Sequence, residues 1–309
     1  MSNSKSPPKT LHLLGINVTH SIAPPMHNHI STSLHLPWTF HATECPSLTD
    51  LLTITKDPTT AGLVITMPYK ASIMYYLDYL SPLAEMIGAV NNVYFEVDKK
   101  GKRKVCGTNT DWIGIRECLL EKGIEEERPS EGRPGVGVIV GAGGASRAAV
   151  YALSQHLHCK KIYILNRDEG EVRTLIEDSA RLPSPPSITH ITTIAQAQNL
   201  PSPFYIVGTI PDFEPVTESE KNVTEILAWF LSRERKGVLL DMCFKPRRTR
   251  VIRAAEEQGW ECVEGTHVIG YQIEEQWRLW AGEERVRNLD REGAWRVLLR
   301  AAEESGAIN

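Results

Sequence analysis

Short apolar segments alternate with stretches of helical periodicity along most of the chain. In the first third, apolar segments at Thr10–Leu14 and Ala61–Thr66 predict strands, and the residues that follow them predict helices at Pro25–Ser33 and Ala71–Leu80. The other elements predicted there are a strand at Phe40–Thr43, a helix at Ser47–Thr55 and a hairpin formed by Val90–Val97 and Lys104–Gly107. This third therefore has the pattern of an α/β domain with its own core.

After a helix predicted at Trp112–Lys122, strand and helix patterns alternate regularly. The strands are expected at Val136–Val140, Lys161–Leu165, Phe204–Val207, Val238–Met242 and Glu261–Glu264, and the helices at Ala145–His156, Glu169–Ala180, Glu218–Arg233 and Thr249–Gln258. Such alternation implies a parallel sheet with helices on both faces. One further helix is predicted at Val268–Trp280, and the charged tail after Glu283 also has a helical pattern.

Composition narrows the class of protein. With 309 residues the chain is long enough for two domains, and a net charge of −4 without a dense basic cluster argues against nucleic acid as a partner. The six cysteines lack CxxC or metal-ligand spacing, so they predict buried thiols and no metal site. Residues 1–9 lack the apolar core of a secretory signal, and no apolar stretch is long enough to span a bilayer. We therefore expect a cytoplasmic protein without a membrane partner.

The segment Val138–Arg147 carries the most informative local signal. Three apolar residues lead into the glycine turn Gly141–Gly144, and helix formers begin at Ala145. A strand, a glycine turn and a helix in this order let backbone N–H groups approach a pyrophosphate, with the positive end of the helix dipole behind them. A second apolar segment, Ile162–Leu165, then ends in Asn166–Asp168, where a dinucleotide fold contacts the adenosine ribose. The spacing predicts a dinucleotide-binding domain.

Several short polar groups follow predicted strands and turns in the first domain. They are His20–Ser21, Thr66 with Lys70, Asn91–Asn92 and Asn109–Asp111. Each alone also has a purely structural explanation, because Ser, Asn and Asp favour turns and helix caps. Their shared position at strand ends predicts that they face a common cleft.

The order and spacing of these groups resemble those of the shikimate/quinate dehydrogenase family, and the match extends from about Leu11 to Trp280. The segments that carry the resemblance are His20–Asn28, Ile65–Lys70, Gly88–Val93, Gly107–Gly114, Gly141–Gly144, Asn166–Arg167, Asp241–Pro246 and Gly265–Gln272. Two further segments, Gly208–Pro211 and Gln276–Trp280, are similar to the dehydrogenase domain of arom-type polypeptides and to catabolic quinate dehydrogenases.

The resemblance implies an α/β fold with an N-terminal α/β substrate domain, a Rossmann-like NAD(P)-binding domain and an active site in the interdomain cleft. In this chain it implies a disordered tail at residues 1–9, a substrate-binding and catalytic domain at 10–112 completed by the C-terminal helix 266–309, and a cofactor domain at 113–265. The implied reaction is reversible hydride transfer between a nicotinamide and the C3 hydroxyl or ketone of quinate, shikimate or their dehydro forms.

Lys70 and Asp111 match the catalytic pair of the family. Oxidation of an alcohol needs a base for the hydroxyl proton as hydride leaves, and a lysine oriented by a carboxylate can act as that base or as the acid of the reverse reaction. A structural Lys–Asp ion pair is the alternative. The substrate-binding residues that the resemblance implies are Ser21, Thr66, Asn91 and Gln272.

The resemblance also implies which residues bind the cofactor. They are Gly141, Ala142, Gly143, Gly144, Ala145, Asn166, Arg167, Asp168, Thr209 and Gly265. NADP-preferring relatives carry Thr and a basic residue where this chain has Asp168 and Glu171. A carboxylate suits the free ribose hydroxyl of NAD and repels a phosphate, so we expect NAD, while Arg167 keeps NADP as the alternative.

Four positions depart from the family pattern. Ala23 replaces the second Ser of the carboxylate-binding pair, Asn92 replaces a Thr, Val64 replaces a common Asn, and Phe244 replaces a Tyr that lines the nicotinamide cleft. Ala23 leaves room beside the substrate carboxylate, which fits the additional hydroxyl of quinate and equally fits a repurposed site.

Three hypotheses remain open from the sequence. The first is an NAD(P)-dependent quinate/shikimate dehydrogenase. The second is a non-catalytic sensor or regulator of the quinate pathway with the same fold, which retention of Lys70 and Asp111 disfavours. The departures at Ala23, Val64 and Phe244 keep this second hypothesis open. The third is a dehydrogenase for another ring acid, such as an amino-hydroxy acid. In each case a small-molecule ligand and a monomer or homodimer are expected.

Overall fold

The computed structural model describes residues 7–309 and divides them between two compact units. Among these residues, unit 1 comprises 7–85, Ala89–Thr110 and Gln272–Ala307, and unit 2 comprises Met86–Gly88, Asp111–Tyr271 and Ile308–Asn309. Most of the predicted tail at residues 1–9 lies outside the described residues, and Lys9 already belongs to the first strand.

Unit 1 is built on a six-stranded mixed sheet with the order β2-β1-β3-β5-β6-β4. Its elements up to residue 108 are β1 (Lys9–Gly15), α1 (Ala23–Ser33), β2 (Trp38–Glu44), α2 (Leu48–Lys56), β3 (Thr60–Ile65), β4 (Tyr79–Leu80), α3 (Pro82–Ile87), β5 (Asn92–Val97) and β6 (Arg103–Thr108). Strands β1, β2 and β3 are parallel, whereas β5 runs antiparallel to β3 and β6. The strands and the hairpin predicted in this region are confirmed.

The helix predicted at Ala71–Leu80 is wrong. A short 3₁₀ helix occupies Ser72–Tyr76, and the chain then extends into β4. Asp78 explains the change, because its N–H donates to Val105 O at 2.9 Å and its carboxylate accepts from Val105 N at 2.9 Å. These bonds to the edge of the sheet hold the chain extended, and the helical pattern of the sequence does not reveal them.

Unit 2 contains a second six-stranded sheet, in which every strand pair is parallel. Its elements are α4 (Asp111–Glu121), β7 (Gly135–Val140), α5 (Gly144–Tyr151), β8 (Cys159–Leu165), α6 (Glu169–Ser179), β9 (Ser187–His190), α7 (Ile194–Gln198), β10 (Tyr205–Gly208), α8 (Glu218–Leu231), β11 (Val238–Asp241), α9 (Arg250–Glu257), β12 (Glu261–Glu264) and α10 (Gly265–Tyr271). The order β12-β11-β10-β7-β8-β9 reverses direction at β7, as in a doubly wound nucleotide-binding sheet. The predicted Rossmann-like fold is confirmed.

The single helix predicted at Val268–Trp280 is two helices, α10 and α11 (Ile273–Ala281), separated at Gln272. The backbone angles of Gln272, φ −89° and ψ −17°, stay in the right-handed helical region, so the break is confined to a single turn residue. The chain then continues through α12 (Glu283–Val286) and α13 (Arg291–Glu304), and α13 packs against α1. The tail after Glu283 is therefore helical, as predicted.

Helix α11 is fixed to unit 1 by two tryptophans. The Trp277 indole N–H donates to His27 Nδ1 at 3.0 Å, and the Trp280 indole N–H donates to Val93 O at 3.1 Å. The Trp280 ring lies directly on Gly62 of β3, where even a single Cβ would overlap it. Among residues 7–309, no helix combines the length and apolar character that crossing a bilayer requires.

Candidate active site

Four buried polar side chains form a hydrogen-bonded group in unit 1, which we call the amide cluster: Asn91, Thr110, Gln272 and Gln276. Asn91 Nδ2 donates to Gln272 Oε1 at 2.8 Å, and Thr110 Oγ1 donates to the same oxygen at 2.6 Å. Gln276 Nε2 lies 3.3 Å from that oxygen, and Thr110 N donates to Asn91 Oδ1 at 2.6 Å. Three donors thus converge on one amide oxygen inside the unit.

The segments that carry the cluster are far apart in the sequence. Asn91 precedes β5, Thr110 follows β6, and Gln272 lies at the break between α10 and α11. The pairing of β5 with β6 brings the first two together, because Asn91 N donates to Thr108 O at 3.2 Å. At that break the side chain of Gln272 bonds to Asn91 and Thr110. The structure therefore brings together two of the predicted substrate-binding residues, Asn91 and Gln272.

Lys70, Thr66 and Ser21 lie in the same unit. Thr66 follows β3 and its N–H donates to Leu14 O at 2.9 Å, while Ser21 lies before α1 and its Oγ accepts from Ala23 N at 3.3 Å. The carbonyl oxygen of the half-buried Lys70 accepts from Val90 N at 2.7 Å. This bond ties the Lys70 backbone to the residue that precedes Asn91 of the amide cluster.

Asn92, which the sequence groups with Asn91 as a cleft-facing pair, is the first residue of β5. It is 0% exposed, and neither its Nδ2 nor its Oδ1 has a hydrogen-bond partner among the described residues. It pairs with Val64 on β3 and with Thr108 on β6, so its side chain shares a sheet face with Val64. A buried amide without partners costs ~1–3 kcal/mol. The sequence indicated a cleft-facing polar group at Asn91–Asn92 and a departure from the Thr of the family pattern, but neither signal predicted a buried amide of this kind.

The glycine turn of unit 2, Gly141–Gly144, connects β7 to α5. Gly141 has φ +116°, a conformation that side chains rarely adopt, and a Cβ there would overlap Thr209 Oγ1. A Cβ on Gly143 would meet nothing within 4 Å. The turn therefore combines a glycine at positive φ with a glycine whose Cβ position is open, directly before a helix, where the first N–H groups have no intrahelical acceptor. These features fit a bound pyrophosphate.

Thr209 supports the glycine turn from the neighbouring strand. Its hydroxyl donates to Val140 O at 2.8 Å, so Ser146, 2.7 Å from Thr209 Oγ1, must be the donor of that second bond. The Thr209 hydroxyl thus bonds to residues on both sides of the glycine turn. It is placed to position the backbone of the glycine turn.

Gly265 is the first residue of α10, and a Cβ there would overlap the backbone carbonyl groups at the end of β11. In the same region Asp241 is buried, which raises the pKa of its carboxyl to about 6 despite bonds from Thr249 Oγ1 at 2.7 Å and Cys243 N at 3.2 Å. Gly265 is required here because two backbones approach closely.

Asn166, Arg167 and Asp168 follow β8, as predicted from the sequence. Asp168 Oδ1 accepts from Glu171 N at 3.0 Å and caps α6, and Asn166 Nδ2 donates to Glu171 Oε2 at 3.0 Å. Arg167 forms an ion pair with Glu220. The turn is therefore held by hydrogen bonds and an ion pair within unit 2.

Asp111 is the first residue of α4 and is 4% exposed. It belongs to unit 2 but directly follows Thr110 of the amide cluster in the chain. In the part of the chain that the structure describes, no three His, Cys, Asp or Glu side chains are grouped closely enough to hold a metal ion.

A doubly wound parallel sheet with a glycine turn between a strand and a helix is the architecture of a dinucleotide-binding domain. Residues 13–93 match the family model described as the shikimate dehydrogenase substrate binding domain. The quinate dehydrogenase of Emericella nidulans is 35% identical over 292 residues, which cover 89% of this chain and 88% of that protein. The chain belongs to the shikimate/quinate dehydrogenase family.

Two further relatives extend the comparison. The pentafunctional AROM polypeptide of Eremothecium gossypii is 34% identical over 286 residues, which cover 89% of this chain and 17% of that polypeptide. The shikimate 5-dehydrogenase of Thermus thermophilus, solved in complex with NADP(H) and shikimate, is 26% identical with a TM-score of 0.71, over 95% of this chain and 99% of that one. The similarity thus extends through both units.

Proposed function

We propose that this chain is a quinate/shikimate dehydrogenase that moves hydride reversibly between a nicotinamide and the C3 hydroxyl or ketone of the ring acid. The amide cluster carries the proposal, because buried amide and hydroxyl groups suit a ligand with several hydroxyls. The Emericella nidulans relative, at 35% identity, supports the same class of substrate.

In this proposal Lys70 and Asp111 are the catalytic residues. During oxidation, the C–H electron pair leaves the ring carbon as hydride, and Lys70 Nζ accepts the proton from the hydroxyl oxygen. In the reverse direction Lys70 Nζ returns that proton to the ketone oxygen. The Asp111 carboxylate orients the lysine and the substrate hydroxyl. When bound, the nicotinamide supplies or accepts the hydride.

The substrate-binding domain of the proposal is unit 1, and the cofactor-binding domain is unit 2. Ser21 and Thr66 donate to the substrate carboxylate or a ring hydroxyl, and Asn91 and Gln272 bind neighbouring hydroxyls. Since Ala23 leaves additional room where relatives carry Ser, we propose that quinate is accepted as well as shikimate.

The cofactor proposed is NAD. Gly141–Ala145 would hold the pyrophosphate, with Thr209 and Gly265 shaping the surrounding backbone, and Asn166–Asp168 would meet the adenosine ribose. The carboxylate of Asp168 favours a free 2′-hydroxyl. Asp168→Ser retains a residue that can cap α6, and we expect it to raise the use of NADP relative to NAD.

We also propose that the protein works in the cytoplasm as a monomer or homodimer. All six cysteines are free, and burial raises the pKa of several, that of Cys159 to about 12, as expected for unreactive thiols in a reducing compartment. Size-exclusion chromatography with light scattering measures the assembly state.

Steady-state rates with quinate and shikimate, each with NAD and with NADP, test the proposal. We expect turnover that falls ~10³-fold in Lys70→Ala, because a general acid–base group is lost. Lys100→Ala, in the exposed turn between β5 and β6, is the matched control and should leave the rate unchanged. Thermal stabilisation by a ring acid without any turnover would instead indicate a metabolite sensor.

A further inference from the structure

Arg167, in the turn after β8, forms an ion pair with a glutamate of a separate helix. Its Nη1 donates to Glu220 Oε1, and Glu220 lies on α8, 53 residues further along the chain. Both residues belong to unit 2. In a dinucleotide fold, an arginine at this turn is the group that accommodates the 2′-phosphate of NADP. The partner of the Arg167 guanidinium therefore affects whether this turn accepts NAD or NADP.

Glu220 is held in place by the N-terminus of α8. Its second carboxylate oxygen, Oε2, accepts from Val216 N and Thr217 N at 3.0 Å each, and Thr217 Oγ1 accepts from Glu220 N at 3.3 Å. These backbone bonds, that from Thr217 first, lower the pKa of the Glu220 carboxyl below its ordinary value. One oxygen thus caps the helix, and the other is fixed toward Arg167.

The exposure of the two partners shows which one is fixed. The Glu220 side chain is 14% exposed, whereas that of Arg167 is 54% exposed. An exposed ion pair usually adds little stability, because both side chains lose conformational freedom when it forms. Here the capping bonds already order the Glu220 carboxylate, so only Arg167 loses freedom. The neighbouring carboxylates of Asp168 and Glu171 bond elsewhere: Asp168 Oδ1 accepts from Glu171 N, and Glu171 Oε2 accepts from Asn166 Nδ2.

We propose that Glu220 is a cofactor-specificity residue, which holds the Arg167 guanidinium and repels a phosphate on the adenosine 2′ position. The inference rests on the proposed function, because it assigns the turn after β8 to the adenosine ribose. It adds a determinant on α8 to those at the turn itself. Preference for NAD then has two sources: the Glu220 carboxylate repels a 2′-phosphate, and the Asp168 carboxylate accepts a hydrogen bond from the free 2′-hydroxyl.

Two nucleotide fragments that differ only by the 2′-phosphate test this role without turnover: adenosine 5′-monophosphate and adenosine 2′,5′-bisphosphate. Calorimetric Kd values for both are measured on the full chain and on Glu220→Gln, with NAD as a reference ligand. Gln at this capping position keeps the helix cap, and a thermal melt checks the fold. We expect the preference for the 2′-phosphorylated fragment to rise roughly tenfold.

Glu218→Gln is the matched control, since it removes a charge from the same helix end, where Glu218 is 91% exposed and pairs with Lys221. We expect it to leave the preference unchanged. Adding Arg167→Ala to Glu220→Gln should remove the gain. An equal shift in both glutamine variants, or no shift while NAD still binds, would overturn the role of Glu220. Failure of the unmodified chain to bind NAD would overturn the proposed function and this inference with it.

Discussion

The glycine turn of unit 2 is made of backbone, whereas the amide cluster of unit 1 is made of side chains. The turn uses four consecutive residues, Gly141–Gly144, and one threonine that supports them. The cluster uses three separate segments, and its bond between Asn91 and Gln272 spans 181 positions. A backbone site is sensitive to shape, and a side-chain site is sensitive to unpaired polar groups. The two sites should therefore fail in different ways.

The largest effect should come from adding a methyl group to the turn. Gly141→Ala places a Cβ against Thr209 Oγ1 at φ +116°, and we expect it to lower the free energy of unfolding by about 3 kcal/mol. Gly143→Ala, whose Cβ would meet nothing within 4 Å, is the matched variant. It should leave stability unchanged but weaken NAD binding about tenfold, because the methyl group blocks close approach of the pyrophosphate.

Denaturant unfolding and fluorescence titration with NAD measure both quantities. If Gly141→Ala and Gly143→Ala reduced stability equally, shape would not distinguish the two positions, and the contrast within the turn would be lost.

The amide cluster should respond through its unpaired donors. Gln272→Leu removes the oxygen that Asn91 and Thr110 share. We expect a loss of roughly 2 kcal/mol of transition-state stabilisation, so kcat/KM for the ring acid should fall about 30-fold while NAD affinity stays unchanged. Gln276→Leu should cost less, because its bonds of 3.3 Å and 3.4 Å lie at the edge of the cluster. A loss of NAD affinity equal to the loss in kcat/KM would contradict the separation of the two sites.

A low pH should lower the stability of the fold through His27, which bonds to the helix α11 that carries Gln276 of the amide cluster. Complete burial lowers the pKa of His27 from 6.5 to about 3, because the charged ring cannot be solvated, and its Nδ1 accepts from Trp277 of α11. The unfolded chain binds a proton below pH ~6.5 while the folded chain does not, so this group's contribution falls as pH drops from about 6.5 toward 3. The expected slope is about 1.4 kcal/mol per pH unit.

His27→Gln can still accept the Trp277 bond but does not titrate. Unfolding curves between pH 7 and pH 5 should therefore show a shallower loss of stability in the variant. Parallel curves for the two proteins would assign the acid sensitivity to other groups.

The smallest effect is expected at Asn92. Replacement by Val removes two buried polar atoms that have no partner within residues 7–309, so the free energy of unfolding should rise by about 1 kcal/mol. Asn91→Val, at the adjacent paired amide, should lower it instead. Destabilisation in both variants would show that Asn92 has a polar partner in solution.

The contrast between the two sites also explains what the sequence could predict. Five of the six parallel strands of unit 2 and the turn before α5 follow from local patterns, because each is encoded within a few consecutive residues, whereas β9 was not predicted. The extended segment at Tyr79–Leu80 was missed because it depends on Asp78 bonding to a strand more than 20 positions away. The break at Gln272 was missed because it accompanies bonds to Asn91 and Thr110, which a helical pattern does not encode.

Site residues show the same limit. The segment Asn166–Asp168 could be placed after a strand, but the ion pair of Arg167 with Glu220 could not, since α8 follows two further strands of the sheet. Ala23 and Asn92 were recognisable as departures from a family pattern, yet only burial and register show that Asn92 faces the same side of the sheet as Val64. The sequence gives the identity of each residue directly, but the residue it contacts in space depends on the fold of the whole unit.

Gly62 and Trp280 have a consequence for how this fold can change over evolution. Because the indole rests on the strand backbone where a Cβ would be, neither position can change alone without a clash or a void. A homologue with a larger residue at position 62 should carry a smaller one at position 280. The two positions should therefore covary across the family, and an alignment in which they change independently would show that α11 can shift on the sheet.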